Sequence, residues 1–485
     1  MSNKTYKELQ ESFVSSHSGT SVAEVALASS ISAVSLLLRD VLVLSRFSPT
    51  KWVGFLIDFT CLILPSQLTE TVLAENITVL LVLMLLISMM LAIITLESTV
   101  KEYFSWSGFS SFLNSDTQDR KQFLTNFRAF INILTALSIL AVDFTVFPRR
   151  FAKAETYGTG LMDAGVGLFI FSNAIVSPEA RNLQRVHGPF KNIWKSFLSC
   201  VPLLILGVIR LIAIKGTDYQ EHVTEYGVHW NFFFTLAAVK ILSSMVYSAL
   251  STQMSGVFGI ILIVGYEYLL SGCGLRDYIV EGHDGKGGRQ SGLLDANREG
   301  IYSSLGYLSL YFLGIQLGQY IFKKRTKITD YCWLLLVFAV VTVLGYAMME
   351  LAVMSVDKVS RRFANLSFVL WMVGQAMMMI TSYLLIEIMV DYIKHINFLR
   401  EKKTDHEKHA ARRNDKNKPC LLKAINYNGL FFFLLSNLLT GIINFSVHTL
   451  YATPMQACAL ITVYMAVSSS VTMTLYYKKV QLKFW

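Results

Sequence analysis

Long uninterrupted apolar runs, separated by short polar stretches, recur along the whole chain. A helix needs roughly 20 mostly apolar residues to cross the hydrocarbon layer of a bilayer. That length selects thirteen segments: 25–44, 52–68, 72–96, 127–143, 163–177, 196–214, 231–249, 255–271, 301–320, 331–349, 363–392, 428–447 and 455–476. The shortest is 163–177. The runs lack the ten-residue alternation of outer-membrane barrel strands, so helices are expected throughout. The fold class predicted is all-α, a polytopic transmembrane helical bundle. Residues 1–24 precede the first span, and 25–485 form one integral membrane domain. The first apolar run is expected to be a retained span and not a cleaved leader.

Charge orients the bundle, because Lys and Arg in short loops stay on the cytosolic side. The stretch Lys394–Lys423, within a basic loop at 393–427, carries ten Lys or Arg against four acidic residues. With that loop cytosolic, thirteen alternating spans place three further basic groups on the same side. These are Lys323, Lys324, Arg325 and Lys327; Arg181, Arg185, Lys191 and Lys195; and Lys478, Lys479 and Lys483. The N-terminus, the loop with Asp218, Glu221 and Glu225, and the loops 144–162 and 272–300 then face the opposite compartment, and the C-terminus is cytosolic.

Composition agrees. Of 485 residues 53% are hydrophobic and 16% charged, against ~25% charged in soluble domains, too few to coat three soluble units. The net charge of +10 raises nucleic-acid binding, but the excess sits beside apolar runs and no zinc-finger or RNA-binding module is visible, so no nucleic-acid partner is expected. Six scattered cysteines form no CxxC pair, which predicts neither a metal site nor a disulfide scaffold.

The most unusual polar stretch is AVDFTVFPRRFAKAETYGTGLMD, Ala141 to Asp163. Arg149, Arg150 and Lys153 lie there on the non-cytosolic side, against the charge rule, balanced by Asp143, Glu155 and Asp163. Asp143 ends an apolar run, where desolvation makes a carboxylate a better proton acceptor. A fold-back at Pro148 would pair it with Lys153, and Arg149 and Arg150 could clamp a phosphate. The plain alternative is a loop whose charges meet each other and lipid phosphates. A second polar set, from Arg276 to Glu299, places Arg298 and Glu299 at a membrane edge, either as headgroup ligands or as a mutual pair; its glycines do not match a phosphate-binding loop. Asn173 enters a span, and Arg39 with Asp40 reads as a local pair. Asn437, Asn444 and His448, at spacings of seven and four, fit one helix face, lining a substrate path or serving helix packing.

The core Phe-Pro-Arg-Arg-Phe-Ala-Lys with the following Glu-Thr-Tyr-Gly resembles the eukaryotic glycosylphosphatidylinositol (GPI) inositol acyltransferases. The resemblance extends through Glu11–Val25, Asp295–Tyr311 and Asn437–Thr449. It implies an endoplasmic-reticulum membrane protein with a lumen-facing site. It also implies transfer of a fatty acyl chain, commonly palmitoyl, from acyl-CoA to the inositol ring of glucosaminyl phosphatidylinositol. The family's essential Asp and Lys fall on Asp143 and Lys153. Glu155, Tyr157, Asp163, Asn173, Arg298, Glu299, Asn437, Asn444 and His448 join Arg149 and Arg150 as expected substrate-binding residues. Acyl-CoA is then a cosubstrate, no tightly bound cofactor is expected, and membrane lipids surround the site. A lipid transporter or scramblase and a non-enzymatic scaffold are the competing readings.

Overall fold

The apolar runs fold as helices. The computed structural model describes residues 6–15, 17–44, 50–96, 106–116, 121–183, 189–217, 223–289, 291–404 and 420–482. The centre of the basic loop at 405–419, together with Arg185, Asp218, Glu221 and Lys483, lies outside the described residues.

In chain order the helices are α1 (Tyr6–Val14), α2 (Val22–Leu44), α3 (Lys51–Thr69), α4 (Ile77–Leu96), α5 (Trp106–Leu113), α6 (Gln122–Ala141) and α7 (Leu161–Ala174). There follow α8 (Pro189–Thr217), α9 (Val223–Tyr226), α10 (Phe232–Ala249), α11 (Ser255–Gly272), α12 (Leu275–Glu281), α13 (Leu293–Ala296) and α14 (Arg298–Ile321). The last are α15 (Ile328–Ser355), α16 (Leu366–Thr404), α17 (Leu421–Tyr427), α18 (Gly429–Ser446) and α19 (Pro454–Tyr477). Among the described residues, eleven helices are long and apolar enough to cross a membrane. The other two expected segments are also helical. α14 is 24 residues long but more polar. α7 has only 14 residues, about 21 Å at 1.5 Å per residue, short of the ~30 Å hydrocarbon thickness. The expected span at 163–177 is therefore a short helix entered from a folded loop.

Helix α6 and the membrane part of α16 are the most enclosed, with 72% and 67% of their apolar windows buried, whereas α4 and α8 have 17% each and face lipid. α2, α7 and α14 pack around the two central helices, while α15 lies along α16 and α10 along α8. Lipid tails are as apolar as leucine, so such helices associate through close packing and buried polar contacts. Gly345 of α15 meets Gly374 of α16 so closely that a Cβ on the first would lie 2.9 Å from the Cα of the second. Polar staples supplement this packing. Glu387 of α16 accepts the Phe123 N–H at 2.8 Å, satisfying an otherwise unpaired donor in the first turn of α6. Arg39 binds Asp40, as expected, and also Asp58, at 2.8 and 2.7 Å.

Candidate active site

Beyond α6 the chain continues through turns in which the Val142 and Asp143 N–H groups donate to Ser138 and Leu140 carbonyls. Asp143 thus stands just past the apolar helix, with 8% of its surface exposed. Its Oδ2 accepts a 2.7 Å hydrogen bond from Asn444 Nδ2, near the end of α18. Burial pushes the Asp143 carboxyl up to about 6, although the Asn444 hydrogen bond and the charges of Arg149 and Lys153 pull the other way.

The loop that follows is folded inward. Phe144, Phe147, Phe151 and Ala152 are buried, and a short 3-10 turn, Arg149–Phe151, follows Pro148. This brings Lys153 to the same site, but not onto Asp143. Its Nζ donates to both oxygens of Glu225 on α9, at 2.8 and 2.9 Å, so the expected direct Asp143–Lys153 ion pair is replaced by a Lys153–Glu225 pair. Glu225 also accepts from Arg361 Nη1 at 3.1 Å, and Arg361 Nε donates to Asp163 Oδ1 at 2.7 Å. Asp163 Oδ2 takes the Ala154 and Gly160 N–H groups, each at 2.9 Å. That carboxylate therefore ties the signature loop to the first turn of α7, a device typical of helix N-termini. Burial alone would raise the Glu225 carboxyl, but Lys153 and Arg361 outweigh it and hold it down at about 2.

Asp143, Lys153, Glu155, Thr224, Glu225 and Arg361 share the wall of one cavity of about 310 Å³. The rest of the wall is mainly apolar: Ile131, Leu134 and Ile139 of α6, Leu161, Val166 and Phe169 of α7, Phe232 of α10 and Phe433 of α18. A carboxylate and an ammonium thus meet at a polar part of a slot between helices, an arrangement suited to reacting the polar end of a lipid while its chain rests on apolar side chains.

The remaining expected residues divide. Asn437 lines the cavity, its amide donating to the Phe433 carbonyl at 2.8 Å. Glu155 lines it too and accepts from Thr224 at 2.8 Å. Arg149 donates to the Phe144 and Phe147 carbonyls and stacks 3.9 Å from the Phe13 ring. Arg150 binds Glu24 and Glu75 at 2.9 and 2.6 Å. The two arginines brace the loop against the N-terminal segment and do not form a paired clamp over the cavity. Tyr157 donates to Asp357 at 3.1 Å, and Asn173 to the Phe169 carbonyl one turn back at 3.0 Å.

Arg298 and Glu299 are 1% and 0% exposed. They neither face headgroups nor pair with each other. Arg298 binds the Ile279 and Gly288 carbonyls and Asp295, while Glu299 binds Arg289 and Arg362. A charge that stays ionised in such a place needs this saturation. His448 lies past the end of α18, its ring 4.7 Å from that of Tyr6, so the expected common helix face reduces to Asn437 and Asn444. Sequence reasoning missed Glu225 as a site residue, and Arg361 altogether. Arg361 and Arg362 carried the same signal as Arg149 and Arg150: with the assigned topology they are basic residues on the non-cytosolic side.

Comparison with known proteins shows the family. A family model described as GWT1 matches residues 6–475. Glucosaminyl-phosphatidylinositol-acyltransferase PIGW of Mus musculus is 37% identical over 508 residues, covering 99% of both chains. The Homo sapiens protein of the same name is 35% identical over 506 residues with the same coverage. GPI-anchored wall transfer protein 1 of Gibberella zeae is 34% identical over 505 residues, covering 97% of each. A match across nearly the whole chain, with full-length relatives above 30% identity, shows that this chain belongs to the GWT1 family.

Proposed function

We propose that this acyltransferase of GPI-anchor biosynthesis moves a long fatty acyl group, palmitoyl in the first instance, from its coenzyme A thioester to an inositol hydroxyl of glucosaminyl phosphatidylinositol. The observation that carries this reading is the placement of Asp143 and Lys153 on one largely apolar cavity between helices, in a chain whose full-length relatives bear that enzyme's name.

In this reading the inositol hydroxyl donates to Asp143, which Asn444 holds in place. As the hydroxyl oxygen attacks the thioester carbon, its proton passes to the Asp143 carboxylate and a C–O bond forms. The negative charge that develops on the carbonyl oxygen is stabilised by the Lys153 ammonium, which acts strongly where water is excluded. Collapse breaks the C–S bond, the electron pair leaves on sulfur, and the thiolate takes up the proton held by Asp143, restoring the carboxylate. No covalent acyl-enzyme is required, and the chain needs no tightly bound cofactor.

The same reading sets the protein in the endoplasmic-reticulum membrane with thirteen spans, α14 and the short α7 included, the latter accommodated by local thinning of the bilayer, with the N-terminus lumenal, the C-terminus cytosolic, and the Asp143–Asp163 loop toward the lumen. The basic clusters support that orientation. An Asn-x-Thr sequon inserted near Gly285 is expected to be glycosylated, and one inserted in 405–419 is not. The activity is tested by incubating purified protein in detergent with palmitoyl-CoA and glucosaminyl phosphatidylinositol. Conversion to the acylated lipid by the natural chain, with intact lipid binding but little turnover in D143N and K153M, is the expected result. Near-normal rates in both variants would sink the residue assignment, and lipid movement without covalent change would favour a transporter.

A further inference from the structure

The Lys153 ammonium is grasped by a carboxylate from a different part of the chain. Both Glu225 oxygens accept from it, at 2.8 and 2.9 Å, and Glu225 is itself gripped by Arg361 Nη1 at 3.1 Å. Arg361, 5% exposed, is anchored on its other edge by Asp163 at 2.7 Å, whose remaining oxygen takes the Ala154 N–H next to Lys153. The circuit thus closes on the loop that bears Lys153, and Lys153, Glu225 and Arg361 all line the cavity.

Resting on the acyl-transfer reading above, we propose that Glu225, fixed by Arg361, is the positioning residue that holds the Lys153 ammonium in place at the cavity wall. A lysine ammonium rides on a flexible four-carbon stem, so it keeps one place only where a fixed carboxylate receives it. The groups facing Glu225 are Lys153, Arg361 and Arg210 of α8. Tyr226 beside it and Tyr307 of α14 also feel its charge. Lys153 itself faces Glu225 and Asp143. Without the Glu225 carboxylate, Lys153 Nζ loses both hydrogen bonds that hold it, while Arg361 keeps Asp163.

The test uses the full chain and the variants E225Q, E225D, K153M and the double E225Q/K153M, each checked for monodispersity and thermal unfolding. In E225Q, kcat for palmitoyl transfer should fall on the order of 10²-fold, the loss typical of one transition-state donor. KM for palmitoyl-CoA should change little, the split expected when the lost contact served the transition state. E225D should recover part of kcat. E225Q/K153M should be no slower than K153M alone, because both changes remove one function. Labelling of Lys153 by an amine-acylating reagent at one fixed pH, followed by mass spectrometry, should be faster in E225Q; it reads the hold on the ammonium without turnover, so it stands even if the natural chain acylates a different lipid. An unchanged labelling rate in folded E225Q, or additive losses in the double variant, would overturn the proposal.

Discussion

In the proposed reaction the proton acceptor is Asp143, a carboxyl group set between two environments. Burial lifts its pKa to about 6, while Asn444, Arg149 and Lys153 keep it from rising further. A base with that value is deprotonated at neutral pH yet still accepts a proton usefully. The kcat profile should therefore fall as pH drops through about 6, and D143N should lose on the order of 10²- to 10⁴-fold in kcat. Asn444→Ala removes a donor to the ionised form, so it should move the acid limb to higher pH, which a pH series of single-turnover rates would read. The sequence made Asp143 and Lys153 recognisable through an apolar run that ends in a carboxylate and a basic stretch on the wrong side of the membrane. It did not reveal their partners, because Asn444 lies 301 positions from Asp143 and Glu225 lies 72 from Lys153. No local periodicity connects such pairs.

At the scale of elements, continuous apolar character specified helices but could not specify how deeply each was enclosed. α4 and α6 read alike as spans, yet one faces lipid and the other the centre of the bundle. Helix meeting points depend on small residues whose opposite numbers lie on other helices. Gly345→Leu would push a side chain into Gly374 of α16. It should destabilise the fold by ~1–3 kcal/mol, the usual range for overpacking, seen as a lower unfolding midpoint in detergent with kcat near normal at low temperature. The α6–α7 connection carries the same lesson. Its charges suggested a phosphate clamp or a loop meeting lipid phosphates, but Phe144, Phe147 and Phe151 draw it inward. Arg149 and Arg150 are then consumed in bracing it.

For the whole molecule, the proposed reaction lays the acyl chain along the apolar wall of the cavity. Gly165 of α7 lies on its wall, and a Cβ there would find only Thr135 Oγ1, at 3.9 Å. Gly165→Phe should therefore fold and partly fill the slot. Transfer from palmitoyl-CoA should slow more than transfer from octanoyl-CoA, and equal slowing of both would show that the acyl chain lies elsewhere. The sequence by itself determined the solvent of this protein, the helical class, the approximate positions of the spans and the presence of an unusual Asp–Lys stretch, since these follow from composition and from polarity along a single segment. Only the tertiary structure decided that Asp143 pairs with Asn444 and Lys153 with Glu225, that Arg298 and Glu299 are buried supports, and that helices distant in the chain enclose one cavity. The physical reason is that transfer into lipid is a property each segment carries alone, whereas a hydrogen bond, an ion pair or a cavity exists only once separate segments have been packed together.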